Sequence, residues 1–365
     1  MFYYIVSSLL LLGTILPSLS AGDPPQTRPF HMGFTRWPAD FTLEGMITAE
    51  KFAHDHGDIV SVMFIGGVPW SEALAGQPFS QDVQNNFKYR PPQGRKLFLS
   101  ISPLNMDRKA LAPYWGSKDN LPLPKPWNTA KLDDPDVKKA YLQFVLRAVE
   151  AMKPDYLAIG IENNVLLSND ARKWAQLKTL HAETYAAVKE KHPALPVFFT
   201  TEVMHYKKLA TEARKTDQVK EVAEMMQHSD YFAMSFYPHM SYDVPKPLPA
   251  NFFDFARDYK KPIAVSETGM TSRDVELKSF KVTLRGSEAE QKQYLDLLLS
   301  IASRDHYQFV VQFATTDFEK LCEKLPAPVN DMARIWCFTG MQTSDKKPKP
   351  ALQVWENYFK ARYNP

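Results

Sequence analysis

Residues 230 to 237 read DYFAMSFY and residues 262 to 267 read PIAVSE. Both are short runs of apolar, aromatic and small residues bounded by charge or proline, the pattern of strands buried on both faces. Working outward, the signature recurs at 31 to 35 (HMGFT), 58 to 65 (DIVSVMFI), 96 to 102 (KLFLSIS), 155 to 161 (DYLAIGI), 196 to 202 (PVFFTTE) and 307 to 315 (YQFVVQFAT), making eight strands. Segments of helical period lie at 42 to 56, 134 to 152, 169 to 192, 205 to 228, 250 to 260, 287 to 304 and 350 to 362; the link between the second and third strands is less clearly helical. This alternation predicts an α/β fold, a (β/α)8 TIM barrel. The competing open, doubly wound sheet lacks its usual sequence marks. No Gly-x-Gly-x-x-Gly follows the first strand, and there is no Gly-x-x-x-x-Gly-Lys-Ser/Thr.

The opening MFYYIVSSLLLLGTILPSLSA, residues 1 to 21, reads as a secretory signal peptide with small residues at its cleavage site. A secreted or periplasmic protein follows, with residues 22 to 365 forming one barrel domain with long loops. After signal cleavage no segment is expected to engage a membrane. With 44 basic and 41 acidic residues the formal charge is +3, and no Lys/Arg stripe with interleaved aromatics points to nucleic acid. In an oxidising compartment Cys322 and Cys337, close together in one late irregular segment, are expected to form a loop disulfide; the alternative is two buried thiols. Two cysteines without a His-x-x-x-His pattern suggest no zinc site, and no organic cofactor is indicated.

Long loops follow several strands, at 66 to 95, 103 to 133, 268 to 286 and 316 to 347. The C-terminal ends of barrel strands carry the chemistry, so these loops build a cleft suited to a polymer. Two strands end there in a carboxylate: the fourth in Glu162 (YLAIGIENN) and the seventh in Glu267 (PIAVSETGM). Cleaving a glycosidic bond with retention needs two carboxyl groups, one ionised to attack the anomeric carbon and one protonated to release the leaving oxygen. Glu202, ending the fifth strand, is a rival acid or a group that binds a sugar hydroxyl.

In VSETG at 265 to 269 and MSFYP at 234 to 238 the chain resembles the clan A glycoside hydrolases, retaining β-glycosidases on TIM barrels. The resemblance implies Glu267 as nucleophile, Glu162 as general acid/base and Tyr237 as the hydrogen-bond donor that orients Glu267. It thereby implies hydrolysis of a β-linked poly- or oligosaccharide by double displacement, and the long loops of the catalytic face point to endo action on a polymer. The sequence departs from the clan where Ile161 stands in place of the asparagine that usually precedes the acid/base and binds the sugar 2-hydroxyl; Asn163 is the nearest substitute. The clan also often has tryptophan at the end of strand eight, where this chain has Phe313 and Phe318.

Candidate substrate-binding residues complete the site: Arg36 and Trp37 after the first strand, Trp70 after the second, His205 and His239 after the fifth and sixth, and Gln312 on the eighth. Arg36 could orient Glu267, hold a substrate hydroxyl, or form a structural ion pair. Trp115 and Trp127 stand on the loop after the third strand, and aromatic platforms suit the apolar faces of sugar rings. A carbohydrate-binding barrel without turnover is the alternative function.

Overall fold

The computed structural model describes residues 25–326 and 329–365, so the leader peptide read in the sequence lies outside the described residues. Eight parallel strands build the centre: β1 His31–Thr35, β2 Ile59–Phe64, β3 Lys96–Ile101, β4 Tyr156–Ala158, the interrupted β5 (Val197–Phe198 and Thr200–Glu202), β6 Phe232–Phe236, β7 Ile263–Thr268 and β8 Phe309–Gln312. The order of hydrogen-bonded neighbours runs from the first half of β5 through β4, β3, β2, β1, β8, β7 and β6 to the second half of β5. Both ends of the sheet therefore belong to one strand, and the sheet closes into the expected barrel.

The period of two along each strand sorts residues into two cores. Ile59, Phe98, Ala158, Phe198, Ala233, Ala264, Phe309 and Val311 fill the barrel interior. Three phenylalanines from β3, β5 and β8 face alanines from β4, β6 and β7, a large and small alternation that packs a narrow lumen. Residues of opposite parity, such as Met32, Phe34, Leu97, Leu157, Met234 and Val265, face the helices. Gly33 sits where β1 and β2 approach closely: an added Cβ would fall 1.7 Å from the Ile59 carbonyl oxygen.

Helices α1 Leu43–Asp55, α2 Trp70–Ala75, α3 Gln81–Phe87, α4 Pro135–Met152, α5 Asn164–Asn169, α6 Ala171–Lys191, α7 Val203–Tyr206, α8 Gln218–Met225, α9 Glu288–Arg304, α10 Glu319–Cys322, α11 Val329–Arg334 and α12 Pro350–Phe359 surround the sheet and its loops. Their starts follow local chemistry. Thr42, Ser80, Asp170, Asp217 and Ser287 each accept a backbone N–H of the first turn, and prolines occupy the first turn of α4 and α12. The unclear link after β2 contains α2 and α3. The segment read as one helix over 205 to 228 is broken into α7, a 3-10 turn and α8, because Lys208 takes a left-handed conformation and Asp217 caps a new start. The segment 250 to 260 forms only 3-10 turns over Asp254–Tyr259. Among the described residues no helix is long and apolar enough to cross a membrane.

The loops after β7 and β8 are tied to the last helix by a buried ion pair. Lys349 Nζ donates to Asp317 Oδ1 at 2.6 Å, to Ser272 Oγ at 2.7 Å and to the Phe338 carbonyl at 3.3 Å. Burial pushes the Asp317 carboxyl up to about 6 against the pull of Lys349. Lys349→Ala is expected to destabilise the fold by about 3–5 kcal/mol, because it strands a buried carboxylate. A urea midpoint that stays in place at constant m-value refutes this.

Candidate active site

Strand parity decides which side chains reach the barrel mouth. On β6, Ala233 lies in the lumen, so Ser235 and Tyr237 rise above it on the same face. On β4, Ala158 sets the same parity for Glu162. On β7 it would fail, because Ala264 faces the lumen and Glu267 by strict alternation would follow Val265 toward the helices. The register slips there: Met234 pairs with Val265 but Ser235 pairs with Glu267, leaving Ser266 as the extra residue. This one-residue bulge turns Glu267 back to the mouth.

Glu267 Oε1 accepts a short hydrogen bond from the Tyr237 hydroxyl. Burial first and the charge of Glu162 second push its carboxyl up to about 7, while the Tyr237 hydrogen bond and the Arg108 charge pull the other way. Glu162 is held on both oxygens: Ser235 Oγ donates to Oε1 at 2.6 Å and Arg108 Nη2 to Oε2 at 2.8 Å. Arg108 also donates through Nε to the Ile161 carbonyl at 2.9 Å and through Nη1 to the Met106 carbonyl at 2.5 Å, so it fixes backbone and side chain together. The Glu162 backbone is left-handed, with φ of 51°, a conformation costly for a residue with a Cβ, and its N–H is received by Thr200 Oγ1 at 2.8 Å. Ser235 thus pairs with one carboxylate through its backbone and bonds the other through its hydroxyl, which brings the two glutamates together over β6.

Several residues read as substrate contacts have other work. Arg36 has outward parity on β1: its guanidinium pairs with Glu50 of α1 at 2.5 Å and lies 3.6 Å from the centroid of the Tyr89 ring, away from Glu267. Gln312 also has outward parity and donates to the carbonyls of Phe313 and Thr339. Trp70, Trp115 and Trp127 are buried, and their indole N–H groups donate to Ala112, Asp82 and Ser71. They are part of the main core between sheet and helices, packing on Phe64, Tyr141 and Phe144, rather than sugar platforms. Asn163 is fully buried with its amide packed over Gly160, so it does not stand in for the missing asparagine.

Glu202 caps α7, accepting from the N–H groups of Met204 at 3.0 Å and His205 at 2.7 Å, and its Oε2 lies 2.5 Å from His205 Nδ1. Both oxygens are occupied, which removes Glu202 as a free proton donor. Burial disfavours the His205 imidazolium, but Glu202, Glu212 and Glu162 outweigh it and raise its pKa. His239 is neutral, pushed down to about 4 by burial, and its Nε2 donates to the Ile335 carbonyl at 2.9 Å. Trp37 shares lumen parity and does reach the mouth, packing on Phe313 and Phe318. Arg108 and Ser235 escaped the sequence reading. A lone arginine in NMDRKALAP carries no signal, whereas Ser235 was open to inference as the same-face neighbour of Tyr237.

Among the described residues no three His, Cys, Asp or Glu side chains are placed to hold a metal. What remains at the mouth is a pair of carboxyl groups in unlike surroundings, one braced by a cation and a hydroxyl, the other desolvated beside a phenol. Residues 114–313, more than half of the chain, match the model of Glycosyl hydrolase family 53. The fold is similar to the GH53 catalytic domain of Ignisphaera aggregans, at 15% identity and TM-score 0.58, covering 94% of this chain and 99% of that one. It is also similar to an exo-β-1,4-mannosidase from Opitutaceae bacterium strain TAV5 (13% identity, TM-score 0.58, 91% of this chain), of which it spans 59%. A fungal β-1,4-galactanase aligns at 13% identity and TM-score 0.52, over 84% of this chain and 90% of the galactanase. No curated protein matches the sequence.

Proposed function

The chain belongs to glycosyl hydrolase family 53, and from that premise we propose that this retaining, endo-acting β-glycoside hydrolase cleaves β-1,4-galactan outside the cytoplasm with Glu267 as nucleophile and Glu162 as general acid/base. The observation that carries the assignment is the convergence of the two glutamates on β6, Glu162 through Ser235 and Glu267 through Tyr237. The galactan reading is supported by the family match and by the similarity to fungal β-1,4-galactanases. Export is supported by the apolar leader at 1 to 21 and by the Cys322–Cys337 disulfide.

In the first step the Glu267 carboxylate attacks the anomeric carbon while the proton of Glu162 passes to the leaving oxygen, and the glycosidic bond breaks. Tyr237 holds the attacking carboxylate in line. Arg108 compensates the charge that Glu162 carries once its proton is gone. In the second step Glu162 takes a proton from water, which displaces Glu267 from the anomeric carbon and restores the β configuration.

The purified protein is expected to release short oligosaccharides from β-1,4-galactan in preference to β-mannan or xylan, with the β-anomer appearing first by proton NMR. An α-anomer as first product contradicts retention, and binding without release favours the carbohydrate-binding barrel.

A further inference from the structure

Glu162 and Glu267 share one cleft but have unlike neighbours. Glu162 accepts from a cation, Arg108 Nη2 at 2.8 Å, and from a hydroxyl, Ser235 Oγ at 2.6 Å, so a donor that favours the ionised form reaches each of its oxygens. Glu267 accepts from the neutral phenol of Tyr237, and burial together with the charge of Glu162 pushes its carboxyl up to about 7. His205 of α7, whose imidazolium is favoured by Glu202 at 2.5 Å and Glu212 at 3.3 Å, also faces Glu162 and acts in the same sense as Arg108. An arginine has no acceptor and keeps its proton, so its contact cannot turn round when Glu162 takes one. The pair is set for one charge and one proton, and the charge falls to Glu162.

The ion pair is built into the backbone on both sides. Arg108 and Glu162 are each left-handed, with φ of 52° and 51°, a conformation that persists in non-glycine residues when the surroundings impose it. The Arg108 N–H donates to the Asn105 carbonyl at 2.9 Å, and Asn105 Oδ1 accepts from the N–H groups of Lys109 at 2.9 Å and Ala110 at 3.2 Å. Asn169, ending the helix that follows Glu162, donates to the carbonyls of Asp107 at 3.2 Å and Arg108 at 3.1 Å. Arg108 Nε returns to the Ile161 carbonyl at 2.9 Å. The two turns are thus locked to each other. We propose that Arg108 is a positioning residue that sets where the proton of the pair rests: it keeps Glu162 ionised in the free enzyme and leaves the proton on Glu267 until a bound glycoside draws it across. Positive charge growing on the anomeric carbon favours an ionised Glu267, and negative charge growing on the leaving oxygen favours a proton on Glu162. The proton leaves a Glu267 oxygen, joins a Glu162 oxygen and passes on to the leaving group, so none is gained from or lost to solvent in the first step.

The crossing rests on the hydrolase reading, whereas the resting place of the proton is read without turnover. The purified protein is labelled with 13C at the glutamate side-chain carboxyls, which leaves out the raised carboxyl of Asp317. The resonances of Glu162 and Glu267 are assigned by their loss in Glu162→Gln and Glu267→Gln and then titrated in the wild type. Below about pH 7 Glu267 is expected at the protonated position and Glu162 at the ionised one. Arg108→Gln, which keeps a donor and loses the charge, moves the Glu162 resonance toward the protonated position, and Arg108→Lys keeps the wild-type pattern. On polysaccharide the alkaline limb of kcat/KM moves up by about one pH unit in Arg108→Gln and stays in place in Arg108→Lys. A purely structural arginine lowers the thermal midpoint of Arg108→Gln but leaves the proton on Glu267 and the limb where it was, which overturns the proposal. A wild type whose proton rests on Glu162 overturns it without any Arg108 variant, and so decides the matter even where Arg108→Gln does not fold. If that wild type hydrolyses β-galactan, the hydrolase reading survives; a wild type with the proton on Glu267 that hydrolyses no β-glycoside keeps the resting place and sinks the hydrolase reading.

Discussion

Replacing Glu267 with Gln is expected to lower kcat on β-linked polysaccharide by about 10⁴-fold or more, because an amide cannot attack the anomeric carbon to form the covalent intermediate. The same change is expected to stabilise the protein at alkaline pH. Burial and Glu162 push the Glu267 carboxyl up to about 7, above its unfolded value. Folding therefore takes up a proton at this site: its contribution to stability is full below the ordinary carboxylate range and is lost as pH rises through about 7. A neutral amide escapes that loss, so the variant gains on the order of 1–3 kcal/mol above pH 7 relative to the wild type. Activity lost together with stability gained separates a catalytic role from misfolding. A variant that keeps its turnover, or one that is inactive because its urea midpoint has collapsed, contradicts the assignment.

The barrel was legible because it depends on local chemistry repeated eight times: a doubly buried strand, a turn, a capped helix. Parity was legible too. Counting twos from Ala233 puts Ser235 and Tyr237 on one face, and counting from Phe34 turns Arg36, expected at the mouth, outward, where it meets Glu50. The bulge at Ser266 was not legible, since nothing in PIAVSETGM marks the extra residue, and Glu267 was expected at the mouth because it ends the seventh strand rather than by alternation. The tryptophans failed for a different reason. Loops as long as 66 to 95 and 103 to 133 stay folded by anchoring large side chains in the main core. Trp70 and Trp127 stack with ring centroids 5.6 Å apart to do so, and Trp115 packs edge-on against Phe64. Composition cannot distinguish a ring that anchors a loop from a ring that holds a sugar. Arg108 is the largest omission, because its partners lie 53 and 54 residues away and only the closed barrel brings them together.

Glu162→Gln tests the other half of the pair and separates the two roles. An amide cannot deliver the proton to a poor leaving group, so kcat on the polysaccharide falls by about 10²–10⁴-fold. An aryl glycoside whose leaving group needs no proton loses far less in its first step. Glu162→Ala opens space for azide, which needs no base; the product is then a β-glycosyl azide if Glu267 is the nucleophile. An α-azide from this variant reverses the roles. The pH profile gives a second reading. The value of about 7 for Glu267 belongs to the last proton of the pair, because an already charged Glu162 helps to raise it; cleavage of the polysaccharide needs one proton on the pair, so kcat/KM of the wild type falls as pH rises through about 7. Part of that elevation comes from the charge of Glu162. With the activated aryl substrate, which needs no proton from Glu162, the first step requires only that Glu267 be ionised, and removing the Glu162 charge in Glu162→Gln moves that acid limb to lower pH. An acid limb that stays in place, or that moves to higher pH, means the two carboxyl groups are not coupled across Ser235 as the geometry requires.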